Sequence, residues 1–188
     1  GPLVTSVGRL TEQKVLLLCQ QQGTELTIDV VCRIIKAFDG RFIMLGSGDS
    51  RLERIFVQAM ARHDNFLFLQ GYAQALGDAM YQLGDLFLMP SSFEPCGISQ
   101  MLAMRAGQPC LVHHVGGLKD TVEHQVNGFS FAGDTLHAQA SALTNCLRDT
   151  LILKQQQPRE WQTIKTQASN ARFTWSQVVT DYINYLYK

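Results

Sequence analysis

The chain has no excess of charge of either sign: sixteen Lys and Arg residues balance sixteen Asp and Glu, for a formal net charge of zero. A polyanion needs a concentration of basic side chains to hold it, so the composition argues against a nucleic-acid partner. Long apolar runs are also missing. The longest, Asp85 to Pro90 and Phe66 to Leu69, are far too short to cross a bilayer, and no signal-peptide pattern opens the chain, so a soluble protein is expected. Cysteine is sparse and odd in number. Cys19, Cys32, Cys96, Cys110 and Cys146 are scattered without a C-x-x-C pair, which speaks against zinc or redox motifs and for a reducing cytoplasm. No initiator methionine precedes Gly1-Pro2, which reads as the residue of a cleaved tag. Residues 1–6 are accordingly expected to be remnant and lead-in, and the chain a fragment. Repeats and low complexity are absent too. The runs Gln20 to Gln22 and Gln155 to Gln157 are short and read as polar loop or helix surface.

What is present suits a single globular core: 188 residues, 46% hydrophobic and 17% charged. Short apolar runs alternate with longer amphipathic stretches, the pattern of a parallel sheet covered on both faces by helices. The fold class predicted is α/β, a doubly wound parallel sheet with C-terminal helices. Strands are expected at Val4 to Gly8, Arg41 to Leu45, Phe66 to Leu69, Asp85 to Met89, Pro109 to His113 and near Phe129 to Phe131. Helices are expected at Leu26 to Phe38, Leu52 to Arg62 behind Asp49 and Ser50 as caps, Ala73 to Leu83 and Gly97 to Ala106. After residue 134 only helix is expected: Leu136 to Lys154, Arg159 to Ala171 and Ser176 to Tyr187. Ligands of such sheets collect at the carboxyl ends of the strands, so the turns Gly8 to Lys14, Gly46 to Ser50, Gln70 to Ala73, Pro90 to Ser99 and His114 to Lys119 are the places to search.

Gly46-Ser47-Gly48-Asp49 lies between a strand and a helix, where glycines let backbone amides approach a phosphate. A dinucleotide fingerprint would need glycine at Arg51, which disfavours NAD and leaves a plain turn as the alternative. The segment from Met89 to Gln100 packs an acid, a thiol and hydroxyls between a buried strand and a helix. Gly97 to Gln100 would expose amides at a helix N-terminus, suited to a phosphate. Glu94, repelled by that anion, is better suited to accept hydrogen bonds from sugar hydroxyls; otherwise it simply caps the helix.

Val7-Gly8-Arg9-Leu10-Thr11-Glu12-Gln13-Lys14, Leu45-Gly46-Ser47-Gly48-Asp49, Gln70-Gly71-Tyr72, Pro90 to Gln100 with its Phe93-Glu94-Pro95-Cys96-Gly97 block, and Val115-Gly116-Gly117-Leu118-Lys119-Asp120-Thr121-Val122 occur in the order found in the bacterial glycogen synthase and plant starch synthase family. The chain resembles the second half of such an enzyme from about Val7 to Phe173-Thr174-Trp175-Ser176. The resemblance implies the second domain of a GT-B glycosyltransferase, with residues 7–173 as a Rossmann-like nucleotide-sugar domain and 174–188 as a helix towards an absent N-terminal domain. It implies ADP-glucose as donor, an α-1,4-glucan acceptor held through that absent domain, retention of configuration, and no metal or other cofactor.

By the same resemblance Arg9 and Lys14 grip the donor diphosphate, Glu94 orients the glucose, and Cys96 and Gly97 line the sugar site. Ile98, Ser99 and Gln100 offer amides to the distal phosphate, and Tyr72 stacks on the base. Gly46, Gly48, Gly116 and Gly117 complete the substrate-binding set. Plain alternatives remain: Arg9 and Lys14 as a solvated turn, Tyr72 as an interfacial core aromatic, Cys96 as a small packing residue. The sequence departs from the pattern in three places. Leu102 stands where related transferases carry a second Glu, an absence shared with glycogen synthases. His113-His114 replace a basic pair, and adjacent strand residues face opposite ways, so they share no metal. Val15 to Phe38 is longer than the usual first helix. The expectation is a half-enzyme that binds nucleotide without glucan synthesis. A donor domain for UDP- or GDP-sugars and a non-catalytic carbohydrate-binding domain are the rivals.

Overall fold

A computed structural model describes residues 1–186; Tyr187 and Lys188, with the end of the last expected helix, lie outside the described residues. The first half runs β1 (Leu3–Val7), α1 (Glu12–Val15), a 3-10 turn (Leu16–Cys19), the short strands β2 (Gln21–Gln22) and β3 (Glu25–Leu26), α2 (Thr27–Ala37), β4 (Arg41–Gly46), α3 (Ser50–Arg62) and β5 (Phe66–Gln70). There follow α4 (Gln74–Leu83), β6 (Leu86–Met89), α5 (Ser99–Arg105), β7 (Cys110–His113), α6 (Gly116–Thr121), β8 (Gly128–Phe131), α7 (Leu136–Gln156), α8 (Pro158–Asn170) and α9 (Trp175–Leu186).

The six longer strands form one sheet in the order β5-β4-β1-β6-β7-β8, every pair parallel. From β1 the chain winds outward one way to β5, then returns to lie beside β1 as β6 and winds the other way. This is the doubly wound, Rossmann-like arrangement, and the winding reverses between β1 and β6.

Alternation within the strands builds the two layers. In β6, Leu86 and Leu88 join the larger apolar cluster with Val4, Phe42, Phe56 and Trp161, whereas Phe87 and Met89 join a second one with Met104, Val112 and Leu118. Successive side chains point to opposite faces, so a strand covered on both sides reads as an uninterrupted apolar run. Burying Phe87 completely is worth about 1.5–3 kcal/mol. Helix starts are set by local chemistry. Asp49 Oδ1 accepts from Arg51 N at 2.8 Å at the head of α3, Thr135 Oγ1 accepts from Ala138 N at 3.1 Å at the head of α7, and Pro158 opens α8.

The structure corrects several expectations. The strand expected from Val4 is the central strand β1, which begins at Leu3 and so takes in most of the stretch 1–6 set aside as remnant and lead-in; fully buried Val4 pairs with Phe42 and Leu86. The first glutamine run is neither loop nor helix surface. Gln21–Gln22 pairs antiparallel with Glu25–Leu26 across a turn holding Gly23 at φ +64°, and Gln22 Nε2 donates to the Ala140 carbonyl of α7 at 2.9 Å. The extra length between Val15 and Phe38 is therefore a 3-10 turn and a hairpin leaned on α7, not a longer helix. α5 starts at Ser99 rather than Gly97, because Gly97 sits at φ +77°, outside the helical region. Periodicity also missed α1 and α6, which span four and six residues. Among the described residues no helix is long and apolar enough to cross a membrane.

Candidate active site

At the carboxyl end of the sheet, where the winding reverses, a cleft of about 250 Å³ opens between the loop after β1 and the loop after β6; Gly8, Arg9, Lys14, Pro90, Ser91 and Ser99 line it. Parallel strands aim their following loops the same way, so neighbours β1 and β6 bring together residues far apart in sequence. Lys14 Nζ forms an ion pair with Glu94 Oε2 across 80 residues, and the side chains retain only 21% and 7% of their exposure. Arg9 is exposed at the same cleft and forms no ion pair among the described residues. One cation is thus committed to the acid and the other is open to an incoming anion.

Glu94 is held from several directions. Ser91 Oγ lies 3.4 Å from Glu94 Oε2, and Gly117 N donates to the Glu94 carbonyl at 2.9 Å. Ser91 is anchored in turn, its carbonyl accepting from His113 Nδ1 at 3.0 Å, which fixes the proton on that nitrogen. His113 is buried and stacked on Phe131 at 5.1 Å. Burial pushes its imidazole below the ordinary value, against the opposing effect of the Ser91 hydrogen bond, so near neutral pH the ring is an uncharged strut. His114, by contrast, is exposed beyond the strand.

The glycines of the site serve backbone packing. A Cβ on Gly46 would meet Gly8 O at 2.2 Å and one on Gly48 would meet Leu10 O at 2.3 Å, so these two let the loop after β4 lie against the loop after β1. Leu10 N donates to Ser47 O and Asp49 N to Leu10 O, both at 2.9 Å. The Gly48 amide is taken by Glu53 Oε1 at 2.9 Å, so in this structure it is not free for a phosphate. Gly116 and Gly117 likewise seat α6 on the Glu94 loop, with Cβ positions 1.9 Å from Glu94 O and 2.3 Å from Cys96 O.

The remaining expected residues lie around the rim. Tyr72 follows β5 and is 84% exposed, so it takes no part in the core of this chain itself. Cys96 is exposed, so it is not a packing residue, and Ile98 is exposed at the cap of α5. The Gln100 side chain is wholly buried and ties its loop together, Nε2 donating to Gly97 O at 3.0 Å and lying 3.3 Å from Thr121 Oγ1. Only its main-chain amide, in the first turn of α5, faces the task assigned to it. Among the described residues no group of three or more His, Cys, Asp or Glu side chains is placed to hold a metal ion.

Sequence reasoning gave no role to Gln13, Ser91, Ser92 or the neutral His113. Each stands inside or beside a recognised motif, but Gln13 and Ser92 meet across the winding reversal and Ser91 and His113 meet between the neighbours β6 and β7, contacts for which the sequence carries no local signal.

Comparison with known proteins shows the family and the fold. The family model described as "Glycosyl transferases group 1" matches residues 1–149. A glycogen synthase of Yersinia pseudotuberculosis serotype O:1b (strain IP 31758) is 32% identical over 97% of this chain and 38% of its own length. One of Hydrogenovibrio crunogenus is 31% identical over 97% and 36%. Among solved structures, the catalytic domain of starch synthase IV from Arabidopsis thaliana, bound to ADP and acarbose, superposes with a TM-score of 0.75. It is 28% identical over 97% of this chain and 37% of that one. Anabaena Alr3699/HepE in complex with UDP-glucose, 22% identical with a TM-score of 0.66 over 98% and 48%, shares the fold. The chain therefore spans well under half the length of the curated relatives it matches.

Proposed function

Starting from a chain that belongs to the glycosyl transferases group 1 family, and within it is glycogen- and starch-synthase-like, we propose that it is the donor-binding half of a retaining glucosyltransferase. The donor is ADP-glucose, the acceptor an α-1,4-glucan held by a second domain. The observation that carries this reading is the cleft at the winding reversal, lined by Arg9 and by Lys14, whose ammonium pairs with Glu94 of the facing loop.

The chemistry follows from that grouping. Arg9 is the open cation for the diphosphate. Lys14, with three N–H donors, holds Glu94 while turning another towards the phosphate, and its charge offsets the repulsion a carboxylate would otherwise exert on the anion. Glu94 accepts hydrogen bonds from the glucose hydroxyls, and Cys96 and Gly97 form the sugar wall. The first-turn amides near Ile98, Ser99 and Gln100 take the distal phosphate, and exposed Tyr72 receives the adenine face. As the bond from C1 to the phosphate oxygen breaks, its electron pair passes to the diphosphate, where fixed cations stabilise the transition state more than the ground state. The acceptor oxygen bonds C1 on the face being vacated, and its proton passes to the departing phosphate. Neither metal nor other cofactor enters this scheme.

The test is calorimetric titration of the chain with ADP, UDP and GDP. ADP is expected to bind most tightly, with affinity falling about tenfold or more in Arg9→Ala or Lys14→Ala. Equal affinity for the three nucleotides would overturn the ADP assignment, and indifference to both substitutions would overturn the site. No glucan synthesis is expected from the chain alone, because the acceptor must be held by the other domain. Measured turnover would refute that part.

A further inference from the structure

The two loops that carry Lys14 and Glu94 do not meet through that ion pair alone. Gln13, immediately before Lys14, contacts Ser92 and Phe93, immediately before Glu94. Ser92 N donates to the Gln13 carbonyl at 2.8 Å and Ser92 Oγ donates to the same oxygen at 3.1 Å. In the other direction Gln13 Nε2 donates to the Phe93 carbonyl at 2.8 Å. Three hydrogen bonds, two donated by Ser92 and one by Gln13, thus clamp the residue before Lys14 to the two residues before Glu94.

We propose that Gln13 and Ser92 form a strap that sets the spacing between Lys14 and Glu94, making Gln13 a positioning residue for the donor diphosphate that acts through Lys14. The inference rests on the donor-site reading above and adds a residue to which that reading gives no task. Its physical basis is the flexibility of what it holds. Lysine carries a point charge on a four-carbon stem, so its place is only as well defined as its backbone. α1, on which Lys14 stands, spans only Glu12–Val15, too short to hold itself in register. Another anchor of the loop, the Leu10 contact with Ser47 and Asp49, lies towards β4, away from Glu94. Buried Leu10, Val15 and Leu17 tie the segment to the core, but towards the Glu94 loop its hydrogen bonds and ion pair are those of the strap and of Lys14 alone among the described residues. Without the strap, a diphosphate drawing on the same ammonium would be free to pull the pair apart.

Gln13 is exposed, so water replaces part of the lost bond and the effect of one substitution is modest. ADP binding to the 188-residue chain is measured calorimetrically for the parent, Gln13→Ala, Ser92→Ala, Lys14→Ala and the Gln13→Ala/Lys14→Ala pair, each with its thermal midpoint. Gln13→Ala and Ser92→Ala are each expected to weaken ADP about three- to tenfold with little change in midpoint. In the Lys14→Ala background, Gln13→Ala is expected to weaken it no further, because the group it positions is gone. A Gln13→Ala chain that binds ADP like the parent overturns the proposal. So does an equal loss with and without Lys14, which a generally loosened loop would give. A parent chain that binds no ADP at all instead sinks the donor-site reading, and the proposal with it.

Discussion

Replacing Gly116 by alanine would set a methyl carbon 1.9 Å from the Glu94 carbonyl oxygen and 2.8 Å from its carbonyl carbon, at a φ of +46°. Both obstacles are main chain and cannot rotate aside. Relief to 3.0 Å requires the Glu94 backbone or the start of α6 to move by about 1.1 Å. That movement breaks the 2.9 Å bond from Gly117 N to Glu94 O, worth about 1 kcal/mol. The left-handed backbone adds about 1–2 kcal/mol for any residue with a Cβ. The expected loss is about 2–3 kcal/mol, or roughly 4–12 °C in Tm for a chain of this size. Because the displaced residue is the proposed sugar-binding acid, affinity for ADP-glucose should fall further than affinity for ADP, by about tenfold. Thermal unfolding and paired titrations with the two ligands measure both effects. A Gly116→Ala chain with the parental Tm and the parental ratio of affinities would refute the reasoning.

Gly8 offers the contrasting case: a Cβ there meets nothing within 4 Å, so Gly8→Ala should leave Tm unchanged while its methyl narrows the cleft and weakens ADP, checked by the same two assays. Asp29 Oδ1 accepts from Arg62 Nη2 at 2.7 Å and lies 2.8 Å from His63 Nε2. Burial raises its carboxyl pKa, but the hydrogen bonds from Arg62 and His63 outweigh burial and hold it below the usual range. A lowered folded pKa contributes stability that is complete above the unfolded value near ~4 and is lost as pH falls through the folded one. Asp29→Asn should therefore cost about 1–3 kcal/mol at pH ~7 and little once the acid is protonated, as read from urea unfolding at both pH values. Trp161, 5% exposed and stacked on Phe129 at 5.9 Å, should cost about 3–5 kcal/mol on change to alanine, seen in the urea midpoint.

Most of the fold was legible because hydropathy periods are local. The run from Leu86 to Met89 marks a strand covered on both faces, and Ile28, Val31, Ile34 and Ile35 mark the buried stripe of α2; all lie in or against the core. What escaped was short or had no period. α1 and α6 complete too few turns to show one, and the polar Gln21–Gln22 is a strand because it pairs with β3 and bonds to α7. The site was legible as a set of loops, since glycines, a proline and charged residues cluster where strands end. The tasks of its members were less so. Gly48 and Gly116 read as ligand glycines, yet each is required by a backbone crossing within 2.3 Å of its Cβ position.

The α/β alternation, the placing of chemistry in turns after strands, and the ordered motifs that mark the family can all be read along the chain. Which of those turns meet depends on the order of the strands in the sheet. Lys14 faces Glu94, Gln13 meets Ser92, and His113 stays neutral beneath Ser91 because β1 and β6 are neighbours and β7 follows them in the sheet. Periodicity records how each segment buries its own side chains. It carries no record of the strand that will lie beside it after a crossover, and the geometry of the cleft is set there.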